Sequence, residues 1–205
     1  MLNRFARAPL TRLLSPVAAV LLRLGVSPDA VTLVGTLGVV AGALLLYPAG
    51  HLLAGTLVIT AFVFSDAVDG IMARTAGRSS AWGAFLDSTL DRFGDAAVFG
   101  GLVLWFTGGG QHRPTAVLAL ACLALGAIVP YARARAEGVG VRADVGIAER
   151  ADRLVAVLVA TACVGLGVPR AVLTAVLALL AVASLVTVAQ RVLLVRRQVL
   201  AGASG

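Results

Sequence analysis

Between Ala30 and Ser65 the chain carries no Asp, Glu, Lys or Arg, and that stretch decides which solvent the fold must suit. About 20 consecutive apolar residues suffice to cross a bilayer as a helix. This run is too long for one crossing, and Tyr47-Pro48-Ala49-Gly50-His51 interrupts it with a turn signal. It therefore predicts two helices, over 29–47 and 51–74. Four further apolar segments follow, over 83–106, 114–135, 150–166 and 170–196, with breaks such as Thr107-Gly108-Gly109-Gly110 between them. Composition agrees. Sixty per cent of the 205 residues are hydrophobic and the mean hydropathy is +0.98, where a soluble domain holds about 45–50% apolar residues. The expected fold is an all-α membrane protein of one domain spanning 1–205, with six transmembrane helices over 29–196 behind an amphipathic surface helix.

That surface helix is expected over 1–24. At 100° per residue Arg4, Arg7, Arg12 and Arg23 share one arc. Leu2, Leu10, Leu13, Leu14, Val17, Val20, Leu21 and Leu24 share the opposite arc, with Phe5 the exception. Gly25 should end the helix. The arginines in the segment argue against a signal peptide. Cys122 and Cys163 lie in apolar stretches, without metal-site spacing or support for a disulfide.

The net charge of +7 comes from seventeen basic residues, all arginine. A GC-rich genome accounts for arginine over lysine. The arginines are not interleaved with aromatics in a soluble domain, so nucleic acid is not the expected partner; a membrane surface or an anionic substrate is. All but Arg113 and Arg170 fall at one end of the expected spans. The positive-inside rule then places both termini, and the polar mouth between the spans, in the cytoplasm of a cell-membrane protein.

Charges within spans are costly and mark function. Here acids cluster. The second helix carries Asp66 and Asp69, and the third carries Asp87, Asp91 and Asp95. The i,i+3 pair Asp66/Asp69 shares a helix face, as does the i,i+4 pair Asp87/Asp91. Two such faces meeting across a short loop would gather four carboxylates, which cannot stand together without cations. Carboxylate oxygens without His or Cys favour Mg²⁺, with Mn²⁺ an alternative, and four ligands suit two ions per site. Gly70 and Gly83 would let backbone or substrate approach closely. Neutralisation by Arg74 and Arg92 in a purely structural network is the competing reading, but it leaves at least two acids unpaired.

The stretch from Ser65-Asp66-Ala67-Val68-Asp69-Gly70 through Arg74, then Gly83-Ala84-Phe85-Leu86-Asp87-Ser88-Thr89-Leu90-Asp91, resembles the signature of the CDP-alcohol phosphotransferases. That signature reads D-x-x-D-G-x-x-A-R, a spacer, then G-x-x-x-D-x-x-x-D, and every fixed position is present. The resemblance implies that Asp66, Asp69, Asp87 and Asp91 hold two metal ions and that Asp91 is also the general base. It implies that Gly70 and Arg74 contact the CDP moiety of CDP-diacylglycerol. Asp29, Ala30, Val31 and Thr32 are similar to the family's nucleotide-contacting helix start. Ser27 as cap and Pro28 at the first helical position explain that segment equally well. Ser80 is a further nucleotide candidate, with a helix cap as its plainer role and Ser79 competing for either. A homodimer is implied by the resemblance alone.

The second half bears on the acceptor. Arg133 and Arg135 end the fourth span, Arg153 opens the fifth and Arg191 lies at the same end of the sixth. Their convergence would suit an acceptor that carries phosphate; positive-inside topology and local pairs with Glu149 or Asp152 are the plainer account. Tyr131–Glu137 and Gly146–Arg153 resemble segments of the actinobacterial phosphatidylinositol phosphate synthases, in which the acceptor is inositol phosphate. Pro130 and Arg133 depart from the serine and lysine common there. Glycerol 3-phosphate, the acceptor of the phosphatidylglycerol phosphate synthases, is the nearest alternative. An intramembrane prenyltransferase would need more spans and another spacing. A cation or proton transporter would be expected to hold its acids near the midplane, on broken helices.

Overall fold

The computed structural model describes residues 14–75, 80–147 and 149–202, and the described residues form helices with no strand among them. α1 runs over Leu14–Arg23. α2 (Pro28–Ala41) continues as a π-helical turn over Gly42–Leu46. α3 (Leu52–Val63) is followed directly by α4 (Ser65–Thr75). α5 (Ala81–Thr107), α6 (Arg113–Gly138), α7 (Arg150–Gly165) and α8 (Ala171–Gly202) complete the bundle.

Local chemistry sets these boundaries. Gly25 ends the first helix at φ +77°, a conformation costly for other L-residues. Ser27 caps α2, its Oγ accepting from the Ala30 N–H at 3.2 Å, with Pro28 at the first helical position. The expected 51–74 helix is not continuous. It breaks at Phe64 without a proline, where the Ser65 hydroxyl donates to the Phe62 carbonyl at 2.5 Å and competes with the backbone ladder. Asp66 and Asp69 thus ride on the short α4, which continues the direction of α3 within the Leu52–Thr75 segment. The last helix extends past its expected end at 196, to Gly202.

Four segments are long and apolar enough to cross a membrane: Pro28–Leu46, Leu52–Thr75, Arg113–Gly138 and Ala171–Ala201. α5 and α7 are not among them. At 27 residues α5 is about 40 Å long, ample for a crossing, but Asp87, Asp91, Arg92 and Asp95 charge its first half. α7 has 16 residues, about 24 Å, shorter than the ~30 Å hydrocarbon core. Outward faces of the long helices are apolar and exposed, as at Leu33, Val34 and Leu37 on α2 and Leu179, Val182 and Leu185 on α8. In water such faces would be an aggregation hazard; in lipid they are the solvated surface.

The interior is one continuous cluster around Val39, Ala43, Tyr47, Ile59, Val98 and Leu102. α2 is its axis and packs on α3, α4 and α5, while α6 joins α5 to α8. The closest approach to another helix's backbone is at Gly101 of α5, where a β-carbon would stand 2.5 Å from the Ala43 carbonyl oxygen in the π turn. A second, smaller cluster joins α1 to α4 through Ala18, Val68, Ile71 and Met72, with Leu14 and Leu21 packed against it. The apolar arc expected to face lipid is therefore divided: Leu14 and Leu21 turn to α4, and Val17, Val20 and Leu24 stay exposed. Leu2, Arg4, Phe5, Arg7, Leu10, Arg12 and Leu13 lie outside the described residues.

Candidate active site

With α3 and α4 running on as one segment and the chain turning back at each other connection, one end of the bundle collects the starts of α2, α5 and α7 and the ends of α4, α6 and α8. The aspartate motif lies there, one half on α4 and the other on α5. α4 and α5 each pack on α2 and make at most a marginal contact with one another. The first turn of α2 ties them together. The Thr32 hydroxyl donates to Asp69 Oδ2 at 2.6 Å, a short charge-assisted bond between two buried groups. One turn earlier, Trp82 Nε1 of α5 donates to Asp29 Oδ2 at 3.2 Å. Val31 packs on the α1–α4 cluster, and the Ala30 N–H is taken by its cap.

Other motif positions fall around this turn. Asp87 is exposed on α5, without an ion-pair partner among the described residues. The Arg74 guanidinium lies across Gly70, where a β-carbon would meet its Nη1 at 3.4 Å. Ser80 is the N-cap of α5 and accepts from the Gly83 N–H at 3.0 Å, the plainer of its two expected roles. The Asp66 side chain and Ser79 lie outside the described residues.

Asp91 sits one turn beyond Asp87 and is held from α7. Arg150 Nη1 lies 2.8 Å from Asp91 Oδ1, and its Nε lies 3.1 Å from Asp95 Oδ1. Arg92 Nη2 is 3.7 Å from Asp91 and its Nη1 3.9 Å from Asp95. Arg153 Nη2 adds a third cation at 3.5 Å from Asp95 Oδ2. Sequence reasoning noted Asp95 as an intramembrane acid but gave it no partner, because the three arginines come from two helices. Pro130 supplies the remaining acceptor. A proline has no N–H for the carbonyl four residues back, so Gly126 O is left without its usual partner. Arg92 Nη1 and Arg153 Nη2 point to that oxygen at 3.4 and 3.5 Å.

The four arginines expected to bind the acceptor are placed differently from one another. Arg153 is 2% exposed and faces Asp95. Arg133 is on the surface, paired with Glu137 at 3.1 Å and Asp144 at 2.8 Å. Arg191 donates to the Val145 carbonyl at 2.9 Å and to the Val129 carbonyl at 2.5 Å, which fastens α8 to α6 and to the loop before α7. Arg135 is exposed with no ion-pair partner among the described residues.

The donor chemistry suits a hard divalent cation: Asp69, Asp87 and Asp91 offer carboxylate oxygens, with no His or Cys nearby in the motif. Among the described residues no three acidic, His or Cys side chains stand close enough to enclose one. Oδ1 of Asp91 is held by the Arg150 guanidinium at 2.8 Å, so a cation on that oxygen would compete with Arg150.

Residues 25–147 match the family model described as CDP-alcohol phosphatidyltransferase. The phosphatidylinositol phosphate synthase of Streptomyces avermitilis is 55% identical over 97% of this chain and 84% of its own length. That of Cutibacterium acnes is 47% identical, covering 96% of this chain and 98% of its own. Among solved structures, Mycobacterium tuberculosis phosphatidylinositol phosphate synthase with CDP-DAG bound superposes with a TM-score of 0.85 at 42% identity, covering 90% of this chain and 94% of that one. The same enzyme in complex with manganese and citrate gives 0.85 at 42%, covering 89% and 88%.

Proposed function

The chain belongs to the CDP-alcohol phosphatidyltransferase family, and from that premise we propose that it transfers the phosphatidyl group of CDP-diacylglycerol to inositol phosphate, giving phosphatidylinositol phosphate and CMP. The observation that carries the reading is the α2 turn that binds both motif halves, Thr32 to Asp69 and Asp29 to Trp82, in a chain 55% identical to a phosphatidylinositol phosphate synthase.

Asp66, Asp69, Asp87 and Asp91 hold two divalent cations, Mg²⁺ or Mn²⁺; when bound, these neutralise the pyrophosphate and the charge on departing CMP. The fit rests on the all-oxygen donor set and on a relative's complex with manganese. The protein's own groups do the rest. Asp29, Ala30, Val31 and Thr32, with Gly70, Ser80 and Arg74, are the residues we assign to the nucleotide, Arg74 offering its guanidinium to a phosphate. Asp91 accepts the proton of the acceptor hydroxyl. That oxygen attacks the lipid-side phosphorus, the bond to the CMP oxygen breaks, and CMP leaves. Arg135 meets the acceptor's phosphate first; Arg133, Arg153 and Arg191 complete the cationic side once Arg133 exchanges its carboxylate partners for phosphate.

The fold reading follows the same lines. α5 and α7 join the four apolar segments as crossings, because their charges lie at one end, where Asp91, Arg92, Asp95, Arg150 and Arg153 pair with one another. α1 lies on the cytoplasmic surface, both termini and the active site face the cytoplasm, and the protein is a homodimer in the cell membrane. A reporter fused after Gly205 should read cytoplasmic; an extracytoplasmic signal would overturn the six-span topology.

The activity is tested by CMP release in detergent from CDP-diacylglycerol with one acceptor at a time. Inositol phosphate should support turnover, and free inositol should support little or none. Turnover with glycerol 3-phosphate in place of inositol phosphate would assign the sister activity. Failure with every phosphate acceptor would reject the reading.

A further inference from the structure

Arg150 grips two carboxylates one helical turn apart on α5, Asp91 through Nη1 at 2.8 Å and Asp95 through Nε at 3.1 Å. The two acids differ. Asp91 belongs to the aspartate motif. Asp95 lies outside it, is 7% exposed, and is surrounded by Arg92, Arg150 and Arg153. Beside Asp91 and Arg150 lies a cavity of ≈ 10 Å³, room for one water at most. A divalent cation drawn to Oδ1 of Asp91 competes with the guanidinium there, because two cations on one carboxylate oxygen repel each other strongly in a partly desolvated site.

We propose that Arg150 is an internal counter-ion that holds Asp91 in the metal-free protein and withdraws onto Asp95 when a divalent cation binds. Asp95 is thereby a positioning residue that tunes metal affinity without touching the metal. The inference rests on the reading of Asp91 as a metal ligand. It gives Asp95 a purpose that packing alone does not: a buried aspartate is costly unless paired, and here it provides the place where Arg150 stays when it lets go of Asp91. The guanidinium suits this role because its fork can keep one hydrogen bond while releasing the other.

The test is Mn²⁺ binding to the full chain in detergent, without substrate, followed by electron paramagnetic resonance and by thermal unfolding in chelator. Arg150→Gln removes the competitor and should tighten Mn²⁺ by about tenfold, equivalent to ~1.4 kcal/mol, while lowering the metal-free melting temperature. Asp95→Asn removes the carboxylate that receives Arg150 when it leaves Asp91 and should weaken Mn²⁺ by a similar factor. Arg150→Lys retains the competing charge and should bind Mn²⁺ close to the wild-type strength. The opposite signs are what a merely structural cluster would not produce. Weakening in both Arg150→Gln and Asp95→Asn, or an unchanged constant in either, overturns the inference. If Arg150→Gln does not fold, Asp95→Asn decides by itself, and an unchanged constant there is fatal. Asp91→Asn separates the two layers. If it leaves Mn²⁺ binding intact, the metal-ligand reading fails; if it weakens binding while Arg150→Gln does not strengthen it, only the counter-ion inference fails.

Discussion

The two ends of the helix bundle are closed by different chemistry. At the end holding the starts of α3 and α6, neutral groups make most of the side-chain contacts, with Arg170 donating to the Gly110 carbonyl at 3.4 Å the charged exception. His112 Nδ1 and Thr115 Oγ1 are 2.6 Å apart, and Thr115 Oγ1 meets Thr174 Oγ1 of α8 at 2.6 Å. Trp105 fills the space over Gly50, Gly109 and Gly110, where β-carbons would stand within 3.0 Å of its ring. At the other end, charged groups make the contacts: Arg150 with Asp91, Arg153 with Asp95, and Arg133 with Asp144. Neutral hydrogen bonds between short side chains hold helices together and offer a ligand little. Charged pairs hold them together and remain exchangeable, because an incoming phosphate or cation can replace either partner. One end is a seam and the other is a seam that can open.

The largest expected effect probes the openable end. Asp91→Asn should lower CMP release by about 10²–10⁴, the usual loss for a general base, with the fold retained by circular dichroism. Chelation of divalent cations should stop wild-type turnover, and Mg²⁺ or Mn²⁺ should restore it. Near-wild-type release from the variant would remove Asp91 from the chemistry.

Arg153→Ala tests whether a buried pair at that end is structural, catalytic or both. Losing one partner of a buried ion pair costs about 3–5 kcal/mol; Arg92 and Arg150 remain on Asp95, so the low end is expected in thermal unfolding. If the acceptor reaches Arg153, its KM should also rise while the KM for CDP-diacylglycerol holds. A stability loss with both KM values unchanged would assign Arg153 to the scaffold.

The neutral end should behave oppositely. Thr115→Val leaves His112 and Thr174 without their shared partner and should cost about 1–2 kcal/mol of stability, with turnover per folded molecule unchanged. A loss of turnover there would break the contrast between the ends.

The smallest effect is expected at Pro130→Ala. The restored N–H returns Gly126 O to the helix ladder and takes it from Arg92 and Arg153. Acceptor binding should weaken by less than about 1.4 kcal/mol, one decade in affinity, even as α6 gains a hydrogen bond. An unchanged acceptor KM would make the Gly126 contact incidental.

Much of this was legible in the chain alone. The charge-free run from Ala30 to Ser65, the caps at Ser27 and Ser80 and the stop at Gly25 are local signals, so helix ends came out within a few residues. The family could be read from the spacing of Asp66, Asp69, Asp87 and Asp91, because that spacing is a covalent fact. Two local features were still misread. The break at Phe64 depends on where one serine hydroxyl turns, and the apolar arc of α1 could not be divided between lipid and α4 without knowing that α4 lies beside it.

What only the tertiary structure decided is who neutralises whom. Every charged residue of the Asp91–Asp95 cluster was visible in the sequence, yet the partners of Asp95 lie up to 58 positions away. Periodicity sees neighbours three and four residues apart on one helix. It cannot see which face of α7 meets α5, nor that α2 would stand between the halves of the motif. Those choices come from packing a small set of close approaches, Gly101 against Ala43 above all. Once the helices are so placed, the reach of each arginine settles the pairing: Arg150 spans both acids, Arg153 is buried on one, and Arg135 is left facing out.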